Sequence, residues 1–469
     1  MTHQCPLELE QYTGKILAAF FTGLSDRNPA VRKTYASAIG QVIKTAKDRS
    51  VEKLFVKLRS WYMEKDDEAA RWAVAYTFQA ITLHNPDKMK SNAAQALPIA
   101  FLAMHEEKTE SNKDSLEVWE EVWNEGTPGT EGGIRLYLTE IVALLSAAIE
   151  SPKWTIKAEA ARAMGTIAIK LENAIPPNEQ KHLLALLLNG LAGRTWTGKE
   201  ALLTALADVC KSGSSSVKEL LSDESMDESV KNMDETTLVK CLFKECQKEK
   251  LEYKIVAIEC TGIIFKALQI SKFSELFEIV FPIIKQNLVD EDNDSKMLVD
   301  EEIKPSLELQ YAAIKCLGLA WPSNESATQQ KHILELMESL NILVQATTRH
   351  NQICITNCLG EIVTRWKLEP DQEEFNANVI AEIAKLLSAV LVIPKSSQLR
   401  SEALDVLGKV VKLLISETCK SNPRMVYIFR DEVAKSLDYV IKDLGSDHAS
   451  KDTARELKTS LMEISFASN

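Results

Sequence analysis

Apolar residues recur at three- and four-residue spacing along almost the whole chain, which is the period of an α-helix. In the first clear case Ile16, Leu17, Phe20, Phe21 and Leu24 form one stripe. A turn, Asp26-Arg27-Asn28-Pro29, follows. Proline suits a helix start, because its missing N–H would have no intrahelical acceptor there anyway. The next helix carries Val31, Tyr35, Ile39, Val42 and Ile43 on one face. Neither helix can bury its stripe alone, but two stacked pairs can.

The unit repeats. Aligned on the second helix of each pair, a polar or basic residue stands at Arg32, Arg71, Lys157, Lys199, Lys254, Gln310, Gln352 and Arg400. Six residues later comes a small or modest side chain: Ala38, Thr77, Ala163, Ala205, Cys260, Cys316, Cys358, Val406. Two positions further on stand Gly40, Gln79, Gly165, Ala207, Gly262, Gly318, Gly360 and Gly408. Glycine inside a helix costs about 1 kcal/mol against alanine, so a glycine column needs a reason, and close approach of a neighbouring helix is the simplest. A period near 40 residues made of two helices matches the HEAT/armadillo class. Asp26, Val31 and Arg32 fit the HEAT signature of a turn aspartate and a Val-Arg pair, and later units lose the aspartate.

The chain is therefore expected to be all-α, a HEAT/armadillo-like superhelical solenoid of about ten helix pairs. The pairs begin near residues 14, 50, 93, 134, 178, 235, 271, 327, 371 and 423, and the third is the least regular. Three stretches read as irregular inserts. Residues 106–133 hold charges, Trp119, Trp123 and the turn-rich Gly126-Thr127-Pro128-Gly129. Residues 213–234 read as an acidic, Ser-rich linker, and 289–305 as an acidic insert. This divides the chain into repeat arrays over 1–212 and 235–469.

Composition narrows the class. Hydrophobic residues make up 45% of 469, enough for a sizeable core, and 17 Gly with 14 Pro exclude a collagenous chain. The net charge of -12 argues against nucleic acid or an anionic membrane as the main partner. The apolar run Leu183 to Ala192 is broken at Asn189 and Gly190 and is too short to span a bilayer, so no direct membrane span is expected. Met1 to Glu10 lack the basic start and apolar stretch of a secretory signal. Nine scattered cysteines without a CxxC suggest a reduced, intracellular setting.

Candidate chemistry is sparse. Gly193-Arg-Thr-Trp-Thr-Gly198-Lys199 resembles the start of a phosphate-binding loop, but Glu200 replaces the metal-binding hydroxyl and a leucine-rich helix precedes it, so it reads as a repeat turn. Asp290, Asp292, Asp294 and Glu301 have the carboxylate spacing of an EF-hand loop, but Ser295 replaces its glycine, so it reads as a solvated loop. Seven histidines make no HExxH, and Cys354 with Cys358 reads as core. No catalytic residue, cofactor or metal is expected. Ser222 and Ser225, each followed by acidic residues, are candidate phosphorylation sites. Trp119, Trp123, Arg194 and Trp196 are candidate partner contacts, since aromatic and Arg anchors dominate interfaces, with capping of the solenoid core as the alternative for the tryptophans.

The stretches Phe21-Thr-Gly-Leu-Ser-Asp-Arg-Asn-Pro, Trp61-Tyr-Met-Glu, Leu97-Pro-Ile-Ala-Phe-Leu-Ala-Met-His-Glu, Gly132-Gly-Ile-Arg-Leu-Tyr-Leu and Gly190-Leu-Ala-Gly-Arg-Thr-Trp-Thr-Gly-Lys-Glu resemble the C-terminal part of the proteasome adaptor and scaffold protein family. The motifs span the first half of the chain. Beyond about residue 210 the resemblance rests on repeat pattern and order. It implies a non-enzymatic scaffold that binds 26S proteasome subunits, holds core and regulatory particles together and serves protein quality control. It also implies a cytoplasmic and nuclear protein that reaches endosomal or endoplasmic reticulum membranes through partners. Members are several times longer, so the chain resembles a C-terminal fragment or short isoform. The competing readings are a karyopherin-like transport receptor, also acidic and HEAT-built, and a HEAT-type regulatory subunit of another complex.

Overall fold

The computed structural model describes residues 11–64, 67–222, 234–289, 300–368, 371–415, 423–443 and 445–467. These residues hold 22 α-helices and no strand. The chain divides into two compact units, residues 1–233 and 234–469.

In the first unit the pairs are α1 (Thr13–Gly23) with α2 (Pro29–Val42), and α3 (Asp48–Glu64) with α4 (Glu68–His84). A short helix, α5 (Pro86–Ser91), precedes α6 (Ala93–Ala103), which pairs with α7 (Lys113–Gly126). Then come α8 (Thr130–Glu150) with α9 (Trp154–Leu171), α10 (Pro177–Gly190) with α11 (Glu200–Ser212), and the short α12 (Ser214–Ser222). In the second unit α13 (Glu235–Cys246) pairs with α14 (Leu251–Leu268), α15 (Phe273–Val289) with α16 (Asp300–Ala320), and α17 (Ser326–Ala346) with α18 (Arg349–Arg365). The last pairs are α19 (Glu373–Leu391) with α20 (Ser397–Ile415) and α21 (Pro423–Lys442) with α22 (His448–Ala467).

Local sequence sets each entry. Asn28 accepts from the Ala30 N–H at 2.9 Å, and Pro29 stands at the first helical position of α2. Three members of the basic and polar column then close the turn inside their own pair. Arg32 Nη1 donates to the Asp26 and Arg27 carbonyls at 2.8 and 3.1 Å. Gln352 Nε2 donates to Val344 O at 2.9 Å, and Arg400 Nη2 to Ile393 O at 3.3 Å. These side chains are buried because they satisfy carbonyls at the end of the preceding helix or in the turn after it.

Second helices stack on second helices: α2 on α4, α9 on α11, and α14, α16, α18 and α20 in succession. The glycine column is the contact. A Cβ on Gly262 would stand 2.7 Å from Cys316 Cα, one on Gly318 2.9 Å from Cys358 Cα, and one on Gly360 3.0 Å from Val406 Cγ2. Gly165 faces Asp208 and Ala205 at a looser distance, with Ala205 Cα 3.5 Å from such a Cβ. The glycine of one repeat thus sits on the small residue of the next, and the missing side chain sets the helix separation.

The inserts are more ordered than the sequence suggested. The stretch 106–133 contains α7, whose Leu116, Trp119, Val122 and Trp123 are buried at helical spacing while its charges face outward. The linker 213–234 contains α12, which buries Val217 against the α10–α11 pair. The insert 289–305 ends earlier than expected, since α16 begins at Asp300. Asp290, Asp292 and Asp294 lie outside the described residues, as does the Glu301 side chain. By length and composition α8 is apolar enough to cross a membrane. In the first unit its Ile134, Ile141 and Leu145 are buried, and it packs on α6, α9 and α10.

Candidate interaction surfaces

Trp119 and Trp123 are 1% and 0% exposed, which removes them as partner contacts. Trp119 packs edge-on to Tyr62 at 5.8 Å and against Phe78 at 5.5 Å, and Trp123 lies 5.1 Å from Phe101. They are the core of the third pair. Ser222 is exposed at the end of α12, where its hydroxyl donates to Glu219 O at 3.0 Å. Ser225 lies outside the described residues.

Arg194 and Trp196 fall in the loop between α10 and α11, and the loop has a built shape. Gly193 and Gly198 hold φ values of 87° and 96°, a region that side chains disfavour. A Cβ on Gly198 would lie 3.1 Å from Ala158 Cβ, so the loop is pressed onto α9. That placement stacks Trp196 on Trp154, with ring centroids 5.2 Å apart and planes 19° from parallel. Trp154 is 52% exposed, and Lys157 Nζ stands 5.7 Å from its ring. The ledge borders a groove of about 660 Å³ that Glu150, Asn189, Arg194 and Thr195 also line. Lys199 points inward and is fully buried in the repeat column, not presented to a ligand.

The second unit has a groove of about 700 Å³ along its second helices α14, α16, α18 and α20. Most of its charges are paired. Lys266 meets Glu361 at 2.6 Å, Lys315 meets Glu259 at 3.0 Å and Lys409 meets Asp405 at 2.9 Å. Arg365 meets Glu361 at 2.7 Å and also donates to the Gly318, Leu319 and Trp321 carbonyls, closing the C-terminal end of α16. Tyr311 and His350 stack at 4.3 Å. No sequence motif pointed to Arg365. Its role depends on a helix end 44 residues and more away.

A buried polar cluster escaped the sequence reading. Arg71 Nη1 lies 2.7 Å from both Glu106 Oε1 and Glu159 Oε1. The Tyr62 hydroxyl reaches Glu159 Oε2 at 3.0 Å and Glu106 Oε1 at 3.1 Å, and Arg71 Nη2 reaches Thr155 Oγ1 at 3.4 Å. Burial pushes the Glu159 carboxyl up to about 7 against the pull of Arg71, with Glu106 pushing the same way as burial. Burial also works against the Arg71 charge, but Glu159, Tyr62 and Glu106 outweigh it and hold the guanidinium more firmly protonated than usual. The Tyr62 hydroxyl is raised by burial and by both carboxylates. The cluster joins α3, α4 and α9 to the segment after α6, and its bonds run between helices of different pairs. Among the described residues no group of His, Cys, Asp and Glu side chains is arranged to hold a metal ion. Cys316 and Cys358 are buried, and burial raises both thiols far above their ordinary range, so neither is poised as a thiolate.

Comparison with known proteins adds the family. The family model described as the HEAT-repeat domain of the proteasome adapter and scaffold protein ECM29 matches residues 1–63. A second, described as the ECM29 C-terminal ARM-like repeats, matches residues 235–463. The chain is 36% identical over 424 residues to the human proteasome adapter and scaffold protein ECM29, covering 88% of this chain and 22% of that protein. It is 30% identical over 369 residues to the Drosophila melanogaster proteasome-associated protein ECM29 homolog, covering 76% of this chain and 18% of that one. The chain therefore spans about a fifth of the length of these relatives. Among solved structures, Kap121p bound to RanGTP aligns with a TM-score of 0.56 at 13% identity, over 99% of this chain and 47% of that one, a likeness of fold alone. Two matching models of one family and the identity along most of the length agree: the chain belongs to the ECM29 family.

Proposed function

We propose that this chain is a non-enzymatic scaffold segment that contacts the 26S proteasome, helps to hold core and regulatory particles together and serves protein quality control. The observation that carries the reading is the 36% identity to the human adapter and scaffold protein across 88% of this chain. The geometry is in keeping with it. Each unit offers helix-lined grooves and distributed polar contacts, the kind of surface on which repeat proteins bind other proteins. The Arg194–Trp196 ledge is the leading partner contact. The same reading puts the chain in the cytoplasm and nucleus, with endosomal or endoplasmic reticulum membranes reached through partners, and phosphorylation at Ser222 or Ser225 would add about -1.5 to -2 charge.

The test is a tagged capture of this chain from lysate at low and moderate salt, read by mass spectrometry. Recovery of core and regulatory proteasome subunits together is expected. Recovery of Ran-linked transport factors or phosphatase subunits in their place would move the assignment to a karyopherin-like or regulatory-subunit function.

A further inference from the structure

We propose that the Trp154–Trp196 ledge is a docking site for an extended, acidic, proline-bearing segment of a partner protein. Three observations carry it. The first is that the ledge is built. Gly198 at positive φ, seated against Ala158, fixes Trp196 on Trp154, so the rings are stacked before any partner arrives. A preformed aromatic surface binds without the entropy of ordering its own side chains. The second is that it is uncovered. Trp154 keeps 52% of its surface exposed, on a groove of about 660 Å³, large enough for several residues of an extended chain. Stacking covers one face of each ring, and the half of Trp154 that stays exposed is aromatic surface on which the pyrrolidine rings of a polyproline-type segment pack while the segment stays extended.

The third observation is charge. Arg194 and Lys157 line the same groove as the rings, against one carboxylate, Glu150, and Lys157 stands over the Trp154 ring. Neither cation is paired with a carboxylate among the described residues. This local excess of positive charge stands on a chain of net charge -12. An acidic segment is drawn to the ledge and repelled from most of the remaining surface, which is how complementary charge yields selectivity. Acidic residues set on either side of a proline would meet Arg194 and Lys157 with the ring between them.

The inference deepens the partner contact proposed above by naming its chemistry, and it is tested without the proteasome. Fluorescence anisotropy of labelled Glu-Pro-Glu-Pro-Glu-Pro is titrated with the purified full chain at low salt. Saturable binding is expected, about tenfold weaker for Trp154→Ala and for Arg194→Glu, and unchanged for Lys15→Glu, an exposed charge on α1. Circular dichroism of each variant matching the parent excludes unfolding as the cause. Lys-Pro-Lys-Pro-Lys-Pro and Glu-Ser-Glu-Ser-Glu-Ser are expected to bind at least about tenfold more weakly. Equal binding of the lysine peptide would overturn the charge argument, and equal binding of the serine peptide would overturn the ring stacking. Loss of binding in Lys15→Glu, or no binding of the first peptide at millimolar concentration, would overturn the site. A chain that binds the peptide but captures no proteasome sinks the larger function and leaves this site standing; the reverse result does the opposite.

Discussion

In the second unit the second helices α14, α16, α18 and α20 follow one another in direct contact, each glycine seated on the small residue of the next. In the first unit that succession lapses. α7 packs on α4 and α6, α9 packs on α8 and α11, and α7 and α9 make little contact. The Arg71–Glu106–Glu159–Tyr62 cluster stands at the lapse. The comparison separates two ways of joining repeats. Backbone proximity suits a regular stack, because dispersion between closely packed helices needs no partner chosen in advance. A polar cluster suits an irregular step, because directed bonds from long side chains can span a gap that helix ridges cannot. Arg71 makes the point within one column. Arg32, Gln352 and Arg400 occupy its repeat position and close their own turns, whereas Arg71 reaches across to α9.

The two joints should fail differently. Arg71→Ala would leave two carboxylates and a tyrosine hydroxyl without their cation, in a site where Glu159 has 2% of its side chain exposed. Removing one partner of a buried ion pair costs about 3–5 kcal/mol. The loss should appear as a lowered urea midpoint for the first unit, with faster amide exchange in α9. An unchanged α9 would show that the helices hold this step without the cluster.

The next effect in size is a pH dependence. The Glu159 carboxyl titrates near 7 when folded and near 4.5 in its ordinary state, so the folded form binds the extra proton. Its contribution is therefore full at low pH and is lost as pH rises from about 4.5 to about 7, amounting to about 3–4 kcal/mol at 1.4 kcal/mol per unit. His105 works the other way. Burial lowers it to about 4, so below its ordinary 6.5 it disfavours the folded state. The two trends oppose each other in the parent chain. Glu159→Gln isolates the first: the stability of the parent relative to this variant should decline between pH 5 and pH 8. Parallel curves would remove Glu159 from the titration.

How much of this was readable in advance follows from which signals are local. Helix pairing was legible because apolar stripes and turn residues are properties of short windows. The glycine and small-residue columns were legible as columns, but not as each other's partners, because the contact joins residues about 40 or more positions apart, as with Gly318 and Cys358. Helix α7 is masked in the sequence because Gly126-Thr127-Pro128-Gly129 and the surrounding charges carry a loop signal, although Leu116, Trp119 and Trp123 keep helical spacing. The polar cluster had one local trace, Glu159 among Ala158, Ala160 and Ala161, a carboxylate on an otherwise apolar face. The aromatic ledge was half legible. Trp196 stood in a turn, but its partner Trp154 is supplied by a glycine conformation that no spacing rule reveals.

The smallest effects discriminate most finely, because they come from the same substitution at two rungs of one ladder. An alanine Cβ at Gly262 would meet Cys316 Cα at 2.7 Å, backbone that cannot swing aside. Gly262→Ala should therefore destabilise the second unit by about 1–2 kcal/mol, overpacking exceeding the gain in helix propensity. At Gly408 the nearest atom to such a Cβ is Leu457 Cδ2 at 3.8 Å, an ordinary contact. Here only the propensity term remains, and Gly408→Ala should stabilise by up to about 1 kcal/mol, read as a higher urea midpoint. Opposite signs at the two positions would mean that the column is held at glycine by contact distance, rung by rung. If both substitutions stabilise, the helices can separate at little cost, and the close approach is a consequence of the glycines with no part in holding the stack together.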